Sequence, residues 1–115
     1  MSSFKHTIER AVEEDELADF IREPIRGDLR EVPFITEELF YILRACGIYN
    51  TYQLIAKYLE LKNMNDCIDI HHMKFMDWLE NRKFTRKESE TVALSIAEKV
   101  STMMPGLYDP SIFAE

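Results

Sequence analysis

The sequence predicts an all-α fold, a compact five-helix domain with a helix-hairpin-helix-like core, and three observations carry that reading. Apolar residues recur at three- and four-residue steps in five stretches, and no stretch alternates apolar with polar residues as a half-buried strand would. Glycine occurs only 3 times and proline 4 times, too seldom for the many turns of an all-β chain. Capping and breaking residues flank the periodic stretches.

In chain order, the first helix is expected from about Lys5 to Arg22, with Ile8, Val12, Leu17, Phe20 and Ile21 on one face and carboxylates outside. Pro24 stops it, because proline lacks the amide hydrogen and biases Glu23 away from helical angles. Pro24 to Glu31 reads as a loop. The chain is organised around Val32 to Leu54, where two short amphipathic helices meet at Gly47. Thr36 can cap the first, whose Leu39, Ile42, Leu43 and Cys46 share a face, and Thr51 can cap the second, which carries Leu54, Ile55, Tyr58 and Leu59. Lys62 to Asp69 is rich in turn formers and reads as an exposed loop. A fourth helix is expected from about Ile70 to Asn81 with Met73, Met76, Trp78 and Leu79 as its apolar surface and Trp78 anchoring the core. Thr85 and Glu88 form a capping box that starts the last helix, whose buried stripe is Val92, Ile96, Val100 and Met103 or Met104. Pro105 and Gly106 end it. Residues 1–104 then make the domain and 105–115 a tail whose Leu107, Tyr108, Ile112 and Phe113 pack on the domain or on a partner.

A chain of 115 residues fits one domain, and 46% apolar with 30% charged residues describes a folded protein. No apolar run approaches the roughly 20 residues that span a bilayer, and MSSFKHTIER has no signal-peptide core, so an intracellular protein of nucleus or cytoplasm without membrane insertion is expected. Cys46 and Cys67 read as buried free thiols of a reducing compartment. Fourteen basic against 21 acidic residues leave a net charge of −7, which repels a polyanion at long range. The acids gather near the N-terminus, while Arg82, Lys83, Arg86 and Lys87 with Phe84 form a local basic patch.

With these elements placed, the chain resembles the barrier-to-autointegration factor family, small all-α proteins built on a helix-hairpin-helix. Four short runs carry the resemblance in register: Phe20 to Pro24 is similar to the family's Phe-x-x-Glu-Pro, and Gly47 to the glycine closing the first hairpin helix. Tyr58 to Lys62 is similar to its Phe-Leu-x-Leu-Lys, and Phe75 to Leu79 to its Phe-x-x-Trp-Leu. The chain is longer than the pattern between Lys62 and Phe75 and again after Met104. The resemblance implies a homodimer that bridges double-stranded DNA without reading sequence and offers a groove at the dimer interface to LEM-domain proteins of the nuclear envelope. Lys62 and Lys87 match basic positions of the family. Phe34 and Thr36 stand where it has hairpin glycines, Tyr41 or Ile42 and Asn63 where it has lysines, and Glu90 where it has arginine.

The resulting expectation is a non-enzymatic interaction module, an adaptor or scaffold, that forms a homodimer and takes a LEM-domain-like partner. Tyr58, Leu59, Met73, Met76 and Trp78 are its candidate interface. The alternative is double-stranded DNA binding through Lys62, Arg82, Lys83, Arg86, Lys87 and Thr36, weakened by the lost glycines and cations. No cofactor is expected. Asp66, Cys67, Asp69, His71 and His72 lack metal-ligand spacing, because adjacent histidines on a helix point about 100° apart. The histidines are expected at caps or facing solvent. A Cys67 and His71 nucleophile pair lacks an orienting acid and oxyanion donors.

Overall fold

The computed structural model describes residues 15–108. Among these the fold is entirely helical. Helix α1 occupies 15–22, and a 3-10 turn, Leu29–Glu31, lies in the following loop. Then come α2 (Glu37–Ala45), α3 (Thr51–Glu60), α4 (Ile68–Glu80) and α5 (Arg86–Met103). The expected start of the first helix, with Ile8 and Val12, lies outside the described residues, as do Ile112 and Phe113.

Local chemistry sets each boundary. The Thr36 hydroxyl accepts from the Leu39 amide at the start of α2. At its end the Ile48 amide donates to Leu43 O (2.9 Å) and the Gly47 amide to Arg44 O (3.0 Å), the paired bonds of a Schellman motif. Gly47 sits at φ 89°, which only glycine adopts without strain. The cap of α3 is Asn50 rather than Thr51: the Asn50 side chain accepts from the Gln53 amide. Thr51 turns inward, its hydroxyl donating to Glu31 Oε2 at 2.7 Å. The same carboxylate accepts the amides of Arg26 and Gly27, so the loop before the hairpin is held by one largely buried anion. The capping box of Thr85 and Glu88 forms in both directions.

The end of α4 repeats the Schellman pattern with a lysine in the glycine's place. Phe84 donates to Leu79 O and Lys83 to Glu80 O, with Lys83 at φ 73°. The turn delivers Phe84 into the core, where it is buried. Left-handed backbone costs a residue with a side chain about 1–2 kcal/mol, of which glycine's extra unfolded-state entropy returns part. Lys83→Gly is therefore expected to raise stability by up to about 1 kcal/mol. Urea unfolding checks this; a lowered midpoint contradicts it.

The core gathers Phe20, Leu29, Val32, Ile35, Leu39, Leu43, Ile48, Leu54, Ile55 and Tyr58 with Phe75, Leu79, Phe84, Val92, Ile96 and Val100. Helix α4 packs against α5, α5 against α3, and the 3-10 turn against both α2 and α3. The structure corrects several expectations. Cys46 and Cys67 are both exposed, since Cys46 falls at the C-cap where the Schellman turn leaves the apolar face, and Cys67 precedes α4 as its N-cap. The inward face of α4 is His71, Phe75 and Leu79. Met73 is 56% exposed, and Trp78 lies at the edge of the core rather than inside it. The stripe of α5 ends at Val100, because Met103 and Met104 face outward.

Candidate interaction surfaces and the polar cluster beside them

Two surfaces collect the residues singled out in the sequence. The first is the hairpin turn. The Ile35 amide donates to Val32 O (3.2 Å) across Pro33 and Phe34, and Phe34 has φ 72°. Proline at the second position and a left-handed residue at the third are the marks of a type II turn, which favours glycine at Phe34. The backbone thus takes a glycine-like conformation although a phenyl ring occupies it. Phe34 and Thr36 line a cleft of about 190 Å³ with Lys87, Glu88 and Thr91, so Thr36 and Lys87 come together across it.

Three of the other cations, Lys62, Arg82 and Arg86, have partners within the chain. Lys62 Nζ donates to Asn63 O (3.1 Å) and Met64 O (3.2 Å) and stands 5.6 Å from the centre of the Tyr108 ring. Arg82 lies over the Trp78 ring at 4.6 Å, a cation–π contact that also covers Trp78. Arg86 faces Glu80 at 3.8 Å and Glu90 at 3.5 Å. Lys83 and Lys87 are exposed. In the basic patch of the sequence only Arg86 faces carboxylates, while Lys83 and Lys87 stay open, with Lys87 the member beside the hairpin.

The second surface runs along α4. Met73 and Met76 line a groove of about 350 Å³ together with Asp69, His72, Asp77, Glu80 and Arg86. Of the expected interface residues, Met73 is exposed, Met76, Trp78 and Leu59 are half-buried, and Tyr58 leaves the surface altogether. Its ring is the hub of an internal cluster that the sequence does not reveal.

That cluster joins α3, α4 and the segment after α5. Tyr58 stacks on His71 (centroids 3.8 Å apart) and meets Phe75 edge-on at 5.1 Å. His71, expected at a cap or in solvent, has no exposed surface: its Nε2 donates to Tyr58 O and its Nδ1 lies 2.7 Å from the Tyr108 hydroxyl. The hydroxyls of Tyr108 and Tyr58 are 2.5 Å apart. Burial lowers the His71 pKa below its ordinary 6.5, opposed by the hydrogen bond to Tyr58 O. Burial raises both phenols, so they stay protonated at neutral pH. Nearby, Lys74 pairs with Asp66 and holds that carboxyl below the usual range. Leu107 packs against the core, so the described part of the tail belongs to the domain's own surface.

A second unpredicted group is Lys99. It is 4% exposed, and its Nζ donates to the carbonyls of Phe20 (2.9 Å), Ile21 (2.9 Å) and Glu23. These are the carbonyls at the end of α1, where the helix dipole favours a cation. Lys99 lies within the stripe of Val92, Ile96 and Val100, at a position that helical spacing marks as inward.

No group of three His, Cys, Asp or Glu residues among the described residues could hold a metal ion, and no described helix is long and apolar enough to cross a membrane. No family model, curated protein or solved structure matches the chain.

Proposed function

We propose that the chain is a non-enzymatic protein-interaction module, an adaptor or scaffold on a fold like that of barrier-to-autointegration factor, working as a homodimer. The observation that carries this reading is the contrast between its two surfaces. Lys62, Arg82 and Arg86, which a phosphate backbone would need, face partners within the chain, whereas the Met73 and Met76 groove lies open. Exposed methionines adapt to a partner's shape, and a central apolar strip with a polar rim is the anatomy of an interface. A LEM-domain-like protein is the partner class that the family resemblance suggests.

The chain is expected to sediment as a dimer at tens of micromolar, and Met73→Asp to convert it to a monomer by placing a charge in the apolar strip. A wild-type monomer contradicts the homodimer and assigns the surface to another protein. A dimer indifferent to Met73→Asp contradicts this location.

A second reading, duplex DNA held at the hairpin, is favoured by one feature. Phe34 keeps the left-handed angle that suits the family's glycine, and Lys87 stands across the cleft from Thr36. The phenyl ring still blocks the close approach of a phosphate to the backbone that a glycine allows. Binding at this site is weak on that account, and at low salt it should fall further on charge reversal at Arg86 and Lys87. Binding indifferent to that reversal and lost on changing Thr36 would mean that the hairpin itself grips phosphate.

A further inference from the structure

Hydrogen-bond direction in the Tyr58, His71 and Tyr108 cluster is fully determined. A carbonyl only accepts, so Nε2 of His71, which faces Tyr58 O, carries the proton. In the neutral ring Nδ1 then only accepts, and Tyr108 is its donor. With its proton spent on His71, the Tyr108 oxygen accepts from the Tyr58 hydroxyl. The relay runs from Tyr58 to Tyr108 to His71, and every polar hydrogen in it has an acceptor.

A second proton on His71 breaks the relay at Tyr108. Nδ1 becomes a donor and Tyr108 can no longer give it a proton; the Tyr108 oxygen then accepts from both Nδ1 and the Tyr58 hydroxyl, and its own proton turns to water. The new cation pairs with no carboxylate among the described residues. Facing it are Tyr58 and Lys62 from the α3 end, Asp66 from the loop, Lys74 from α4 and Tyr108 from the tail, with Asp66 already paired to Lys74. The buried face of α5 carries one charge, Lys99, committed to the carbonyls of α1. Lifting Tyr108 away relieves that penalty, because Tyr108 is the half-buried member of the three and water can take its place beside the ring.

We infer that the segment 105–108 is a proton-gated latch, docked through Tyr108 while His71 is neutral and released when His71 takes up a proton. Protonation and undocking are linked. A ring whose pKa is lower when docked than when free loses docking strength as pH falls below the free ring's value, by up to about tenfold per pH unit for one proton. Release uncovers the His71 edge of α4 and frees Lys62 from the Tyr108 ring, so acid changes the surface beside the loop that joins α3 to α4.

The test is nitrogen-15 relaxation of the Leu107 and Tyr108 amides in the full chain, with His71 titrated by its ring proton shifts. At pH 7.5 both amides should be as rigid as α5, and at pH 5 they should be mobile while α2 and α3 stay rigid. His71→Gln, whose amide can donate to Tyr58 O and accept from Tyr108 but cannot gain a proton, should keep them rigid at both pH values. Tyr108→Phe removes the donor to Nδ1 and should raise the pH at which His71 titrates, a readout that holds even if acid loosens the whole domain. Amides that stay rigid down to pH 4.5, release in His71→Gln as in the wild type, or a His71 titration unmoved by Tyr108→Phe would overturn the latch.

Discussion

Lys99→Met is expected to cost at least about 3 kcal/mol, a large share of the stability of a domain this size. The methionine fills much the same volume, so packing changes little. What is lost is the donor to three carbonyls at the end of α1, and a buried polar group left without a partner costs about 1–3 kcal/mol each. The loss should fall on one place, with α1 leaving the domain before the rest unfolds. Urea unfolding followed by hydrogen exchange at the Phe20 and Ile21 amides measures both effects. A midpoint within about 0.5 kcal/mol of the wild type, the usual range of a surface substitution, would show that the carbonyls find water instead.

Leu43→Ala is the second large effect, expected at about 2–5 kcal/mol. Leu43 has no exposed surface, and its carbonyl accepts the Ile48 amide that closes the turn between α2 and α3. Removing its side chain leaves a cavity where the hairpin faces the core, and the tight turn at Gly47 limits how far α2 can move to fill it. The spread reflects how well such a site collapses. An unchanged melting curve would remove Leu43 from the core and with it the placing of the hairpin.

What was legible in the sequence follows from how local each signal is. Thr36, Gly47 and the Thr85 and Glu88 pair act within four residues of themselves, so their roles could be read directly. The phase of α4 could not, because Ile68, Ile70, Met73, Phe75, Met76, Trp78 and Leu79 leave apolar residues on nearly every side of that helix. Only packing against α5 selects Phe75 and Leu79 and turns Met73 outward. Lys99 and His71 escaped because their partners lie far along the chain: a lysine in an apolar stripe gives no sign that carbonyls of α1 await it. One clue was present, since Lys99 follows Val92 by seven residues and so falls on the buried face. The hairpin was half legible. A phenylalanine after Pro33 was visible, whereas its φ of 72° shows that the backbone there takes a conformation that favours glycine and carries the side chain at a cost in strain.

The balance between a protein partner and DNA rests on that hairpin, where geometry and side chain pull in opposite directions. Sedimentation velocity of the chain with a short fluorescent duplex, at about 150 mM salt where screening leaves only close contacts, reads both at once. The account predicts a dimeric protein boundary and a duplex that sediments as it does alone. A duplex carried with the protein, and set free by a substitution at Thr36, would contradict it.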